Sequence, residues 1–378
     1  MTLLNAFNRS RHTALLLPKL LVSTLFLSLL LLGSCSNGTV FTQDIKGSDQ
    51  PSDETVGAGS VLVGLLAYSA PINLSDGSAN AVQLAGRLAA EQLSGGPVTL
   101  VVRHSQGDAA SVQKAATDFI TAGVDVVIGP QSGASAVELA KFLSLQEIPV
   151  LSLAQAANPQ IGLYAAGMNY REEAIATVAE MLRRGYKTIY IIEAAASVSQ
   201  VYSRQLNEQA KRAGLTVKTI VFTSNSALPQ TVIAAISADI SPTTAIAFAI
   251  GPKRANDFLA ILTPPANTTI NVVGNSGWSI PRSGLDRLRG AWFPTFSGQQ
   301  LASFIQKFQK SFKAVPTLES IIVYDLVVLS GALPQLAGDA AFTPEVLKNE
   351  QGFSGQSGTF VFTPLGRASR EFIITTVN

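Results

Sequence analysis

The chain has 378 residues, 27 Lys+Arg against 25 Asp+Glu, a formal charge of +2, a sequence pI near 8.6, one cysteine and 47% hydrophobic residues. This length accommodates two lobes. With only 14% charged residues and a mean hydropathy of +0.29, a disordered chain is excluded, and one cysteine excludes a disulfide framework.

At the N-terminus Arg9, Arg11 and Lys19, with no acid among them, are followed by an apolar run from Leu20 to Leu32 and then Leu32-Gly33-Ser34-Cys35. A basic start, a predominantly apolar segment of 13 residues and small residues before a cut site read as an export signal, because a spanning helix needs about 20 apolar residues. The tetrad resembles the lipobox of bacterial lipoproteins. That resemblance implies cleavage after residue 34, acylation of Cys35 and anchoring in a bacterial membrane; Ser36 in the next position is similar to the outer-membrane sorting class of Gram-negative cells. Removing residues 1–34 takes three of the 27 bases and no acid, leaving 24 bases against 25 acids. The basic excess therefore belongs to the signal, and the mature chain offers no case for nucleic acid or another anionic partner. Residues 35–59, poor in large apolar side chains and rich in Gly, Ser and Asp, are expected to be a flexible tether.

From Val61 short apolar runs alternate with amphipathic segments. Strands are predicted at Val61–Ala67, Val98–Val102, Val124–Ile128, Pro149–Leu153, Thr188–Ile192, Val217–Phe222, Ala245–Ala249 and Ile270–Val273. Helices are predicted between them at Ser78–Leu93, Ala109–Thr121, Ser135–Leu145, Arg171–Arg184, Gln200–Ala213, Ala227–Ser237 and Lys253–Leu262. Apolar strands separated by helices imply parallel strands buried on both faces, a doubly wound α/β architecture. Asp108 and Ser111 at one helix entry, with Gly123 and Gly214 as stops, fit this punctuation. Four strand–helix units precede about residue 168 and four follow, so two similarly built lobes are expected. Two further helices are predicted at Gln299–Phe312 and Leu318–Leu336, then two strands around a turn at Pro364-Leu365-Gly366.

Several chemistries lack their residues. His104 is the single histidine of the mature part, no free cysteine remains, and neither a nucleophile elbow nor a phosphate-binding glycine loop occurs. A catalytic centre, a zinc site and a nucleotide cofactor are therefore not expected. Ligands of open parallel sheets lie beyond the strand carboxyl ends. That rule selects Tyr68 and Ser69, Gln131, Ser132 and Ser135, Ala154 and Ala156, Glu193, Gly251, and Ser276 with Trp278. The loop Gly129–Ser135 opens a helix; its amides and hydroxyls suit a carboxylate, and a hydroxyl serving only as helix cap is the competing reading. Tyr68 and Trp278 suit cleft walls or interior packing equally.

The segments VLVGLLAYSAP, AGVDVVIGPQSGAS, IPVLSLAQAANP, FQKSFKAVPTLESIIVYDLVVL and GFSGQSGTFVFTPLGR, in this order, resemble the type 1 periplasmic binding proteins, the leucine-binding group, over Val61 to Val377. The resemblance implies two lobes joined by three hinge strands, 60–167 with 293–352 and 168–292 with 353–378. It also implies closure on a small polar solute such as an amino acid, for delivery to an ABC permease. In that family a Ser and a Thr hold the solute carboxylate and an acid of the second lobe takes the ammonium. Those positions fall here on Gly133, on Ala156 or Ala157, and on about Ser276, with Glu193 as the nearest substitute acid. The segments from Asn158 to Ile192, LRGAWFP and GFSGQSGTFVF are also similar to lipoproteins known as penicillin-binding protein activators, which implies an alternative role in contact with a peptidoglycan synthase.

Overall fold

A computed structural model describes residues 52–69, 80–93, 96–154, 162–195, 197–223, 228–281, 283–296 and 298–377. Cys35, most of the expected tether and Ala156 lie outside these residues. All described residues belong to one compact unit, Gln50–Asn378.

The first sheet contains β1 (Glu54–Gly57), β2 (Val61–Tyr68), β3 (Val98–Ser105), β4 (Val126–Ile128), β5 (Val150–Ser152) and β6 (Leu163–Ala165), in the order β1-β3-β2-β4-β5-β6. All neighbours are parallel except β1, which runs antiparallel along the outer edge of β3. Helices α1 (Ala81–Gln92), α2 (Ala109–Ala122) and α3 (Gly133–Leu143) connect the strands. Both faces of β2 are covered, which is why its sequence is continuously apolar. Gly64 in its middle makes room for α2: a Cβ there would approach the Phe119 ring to 2.9 Å. Asp108 accepts the Ser111 N–H at the start of α2, and Gly123 at φ 68° ends it.

The chain then crosses to the second sheet. Helix α4 (Tyr170–Arg183) leads to β7 (Thr188–Glu193), α5 (Ser197–Arg212), β8 (Thr216–Val221), α6 (Gln230–Asp239), β9 (Thr244–Phe248), α7 (Pro252–Leu259), β10 (Asn271–Val273) and β11 (Trp292–Thr295). Their order, β8-β7-β9-β10-β11, repeats the first lobe's β3-β2-β4-β5-β6 and is likewise parallel. Each sheet thus reverses strand order once, between β2 and β4 and between β7 and β9, where crevices form in such sheets.

After β11 the chain returns to the first lobe with α8 (Gly298–Phe312) and α9 (Leu318–Ala337). Helix α9 is long and apolar enough to cross a membrane, but it is buried in the first core against α1, so its sequence is apolar nearly all round. Thr317 and Ser320 form a reciprocal cap at its start. A short α10 (Pro344–Leu347) precedes a three-stranded antiparallel sheet of β12 (Phe353–Gly355), β13 (Gly358–Phe362) and β14 (Ala368–Arg370). The last strand, β15 (Ile373–Thr376), crosses once more and pairs antiparallel with β11.

The packing differs from the sequence reading at three boundaries. The expected lobe boundary at residue 293 falls inside β11, and after that strand the chain returns to the first core from Phe296 on. Phe353 to Arg370 was expected in the second lobe; Phe360, Phe362 and Ala368 pack in the first core, and only β15 joins the second sheet. The tether expected at 35–59 ends earlier, because Glu54–Gly57 is the edge strand β1, held also by Asp53 accepting from the His104 N–H at 3.0 Å.

Candidate ligand cleft

The strand ends of the first lobe are largely occupied by their own hydrogen bonds. Tyr68 is exposed at the end of β2, its ring lying against Gly107, and the Ser69 N–H donates to the Ser105 carbonyl. Gln131 and Ser132 are exposed. Ser132 Oγ caps α3 through a long bond of 3.5 Å from the Ser135 N–H, and buried Ser135 donates its hydroxyl to the Gly107 carbonyl over 3.2 Å. Ala154 is buried, its N–H given to Ser152 Oγ.

In the second lobe Glu193 is half-buried at the end of β7, and Gly251 is exposed as the N-cap of α7. Trp278 is interior rather than a cleft wall. Its indole N–H donates to the Ile250 carbonyl at 3.0 Å, and its ring packs between Phe248 and Phe293. A Cβ at Gly274 would overlap that ring, so the glycine is what admits it. Asn275 fastens the same turn: its side-chain amide donates to the Phe248 and Ile250 carbonyls, and its Oδ1 accepts the Gly277 N–H.

That turn presents the buried Ser276 to an acid the sequence reading passed over. Glu173, in the first turn of α4, is fully buried, and its Oε1 accepts the Ser276 N–H at 2.7 Å. Among the described residues its Oε2 has no hydrogen-bond partner. Burial pushes the Glu173 carboxyl up to about 7, against the opposing donors of Ser276. The main-chain carbonyl of Glu173 accepts from the Thr177 hydroxyl, which in turn contacts the Tyr202 hydroxyl at 3.2 Å. Burial raises the phenols of Tyr202 and Tyr170, with the Glu173 charge adding to both. The rings of Tyr170 and Tyr202 lie 6.2 Å apart.

These groups line a cavity of about 230 Å³ between the lobes. Tyr170, Glu173, Ser199, Tyr202 and Ser276 come from the second lobe, and Thr317 and Glu319 from the start of α9 in the first. This is below the roughly 300–1,000 Å³ usual for drug-sized ligands and suits a small solute. Of the predicted residues only Ser276 lines it; Tyr68, Ser69, Gln131, Ser132, Ser135, Ala154, Glu193, Gly251 and Trp278 do not. A wider and more open depression, at Asp53, Glu54, Arg103 and Asp118, lies at the β1 edge, where Arg103 and Asp118 pair with each other at 3.7 Å.

The signal for Glu173 was present in the sequence. Glu173, Thr177 and Met181 share the buried stripe of α4, and a glutamate on that stripe needs a reason. Among the described residues no group of three His, Cys, Asp or Glu side chains is placed to hold a metal ion.

Two doubly wound lobes joined by three crossings, with a polar cavity between them, define a two-lobed solute-binding fold. Residues 63–378 match the sequence model of the periplasmic binding proteins, and the chain belongs to that family. The fold is similar to that of a branched-chain amino acid ABC transporter protein from Rhodospirillum rubrum, at 19% identity and TM-score 0.65, covering 84% of this chain and 97% of that one. It is also similar to the substrate-binding protein of a branched-chain amino acid transporter from Streptococcus pneumoniae, solved with isoleucine, at 14% identity and TM-score 0.61, covering 84% and 96%. A solute-binding protein from Rhodopseudomonas palustris, solved with 3,4-dihydroxybenzoic acid, matches at 15% identity and TM-score 0.63, covering 84% and 93%. The sequence matches no curated protein.

Proposed function

We propose that the protein is a non-catalytic periplasmic lipoprotein whose interlobe cleft closes on a small polar solute bearing an amino group, of the amino-acid class, and hands it to an ABC permease. The observation that carries this reading is Glu173: a fully buried carboxyl, one oxygen held by Ser276 and the other unpartnered, on the wall of a cavity between two lobes. An isolated buried carboxylate is costly, and an ammonium in the cavity would supply the missing partner. The three crossings at residues 166–169, 296 and 371–372 are the segments about which such lobes would close. Cys35 is the proposed lipid attachment point.

Thermal-shift screening of the purified protein against amino acids and related amines tests the reading. A ligand at 100 times its dissociation constant stabilises the folded state by about 2.7 kcal/mol, a shift of several degrees. Stabilisation that disappears in Glu173→Gln supports the cleft site. No shift with any solute, together with recovery of a peptidoglycan synthase in pull-downs, would replace this reading with the contact-regulator role.

A further inference from the structure

The walls of the interlobe cavity are unbalanced in charge. Apart from the tyrosines, its ionisable lining residues are two carboxylates, Glu173 from α4 and Glu319 from the first turn of α9. Glu173 is buried with Oε2 unpartnered, and Glu319 makes no ion pair among the described residues. Among the described residues no Lys, Arg or His lines the cavity. The N-terminus of α9 brings roughly half a positive charge, which Glu319 alone outweighs. The rings of Tyr170 and Tyr202 also line the space, and aromatic faces attract cations. Among the described residues nothing comparable serves an anion: Ser132 and Ser135 are committed to Ser135 N–H and the Gly107 carbonyl, and neither lines the cavity. A ligand carboxylate would be desolvated beside two like charges without a countercharge.

We propose that the cleft takes a small organic cation, an amine of net positive charge, with its ammonium on Glu173 Oε2, in preference to a zwitterionic amino acid. This rests on the solute-binding reading and narrows it. Ser276 holds Oε1 and so fixes the carboxyl in one orientation, and Tyr170 and Tyr202 line the same cavity. Glu319, on the opposite lobe, adds negative charge from the first lobe, so that an extended diamine would span the lobes. The raised pKa of Glu173 agrees with this: burial disfavours its charged form, and an ammonium beside the carboxyl would favour that form and lower the pKa again.

The test is calorimetric titration of the purified full-length protein in detergent at pH 8 with two matched series. The branched series is 3-methylbutylamine, leucine and 4-methylpentanoate; the linear series is 1,5-diaminopentane, lysine and glutarate. The expected result is that in at least one series the amine binds ten-fold or more tightly than its matched amino acid, and the carboxylate does not bind. Glu173→Gln should weaken the amine at least ten-fold, and Glu319→Gln, at a half-exposed position outside the core, severalfold. An amino acid or carboxylate binding as tightly as its matched amine would overturn the cation preference and leave the solute-binding reading standing. Unchanged amine affinity in both variants would also overturn it, and binding by none of the six compounds would overturn both.

Discussion

Ser276, at the end of β10, donates its backbone N–H to Oε1 of Glu173, 103 residues earlier in the chain, over 2.7 Å. This bond joins the first helix of the second lobe to the turn after a strand of the same lobe and, among the described residues, leaves the second carboxylate oxygen buried without a hydrogen-bond partner in a residue that lines the cavity. It places an acid beside the position where the sequence resemblance puts the family's ammonium-binding acid, although the residue there is a serine.

The stability of the unliganded protein should depend on Glu173 in a defined pH window. Its carboxyl titrates near 7 when folded against 4.5 when free, so between these values the folded state holds a proton the unfolded state has lost. Stability is therefore highest below about 4.5, falls as pH rises towards 7, and levels off above. Glu173→Gln removes that loss while keeping an acceptor for Ser276. Urea denaturation should show a gain of about 3 kcal/mol at pH 8 that shrinks towards pH 5. A gain of equal size at both pH values would mean that the carboxyl is not the cause. Tyr170, Tyr202 and Glu319 are the other titratable groups around the cavity, and the phenols are raised out of this window.

Trp278→Ala should cost about 3–5 kcal/mol in urea denaturation, the range for emptying a large aromatic site, since the ring fills the space between Phe248 and Phe293 and its N–H satisfies the Ile250 carbonyl. A folded, equally stable variant that loses ligand affinity would restore the cleft-wall role.

Arg370 ties two crossings together. Its buried guanidinium donates to the Ala166 carbonyl at 2.9 Å and the Gly167 carbonyl at 3.1 Å, and burial lowers it to about 10 with Asp325 and Glu172 opposing. Arg370→Met should cost about 3 kcal/mol, because it removes two charge-assisted hydrogen bonds to the Ala166 and Gly167 carbonyls and the positive charge whose field favours ionised Asp325, itself held by Ser357 and Gln356. Adding Asp325→Asn should recover part of the loss in a double-mutant cycle; strict additivity would show that the two residues do not couple.

Ser132→Ala should cost only about 0.5 kcal/mol, at the low end for an N-cap, given the 3.5 Å bond. Ligand affinity measured alongside should stay the same. A ten-fold loss would return Ser132 to the binding site.

Cys35→Ser should release the protein from the membrane fraction to the soluble fraction. Continued sedimentation with membranes in an otherwise processed protein would refute lipid attachment at that residue.

Periodicity gave the strand–helix alternation from Val61 to Val273 because parallel strands buried on both faces must be apolar throughout, and the helices between them must be apolar on one side. Short strands carry less of that signal. The edge strand Glu54–Gly57 is polar on its open side, β6 has three residues, and Phe353–Thr376 holds four strands where the pattern showed two. The lobe assignment of β12–β14 was equally illegible, since it depends on Phe360 and Phe362 meeting the first core over a long separation in sequence.

The site divides in the same way. Strand-end logic reached Ser276 but left Trp278 open between cleft wall and core, because residue type alone does not tell whether an indole turns into the core or out to a cleft. Glu193, the expected substitute acid, does not line the cavity, whereas Glu173 does. Local periodicity and composition were enough for the two-lobed α/β architecture, the near-neutral charge of residues 35–378 and the helix punctuation. Only the tertiary structure decided which acid meets Ser276 and which hydroxyls are already spent, because those are contacts between distant segments, and burial, which sets the charge and the free valence of Glu173, exists only once the segments have packed.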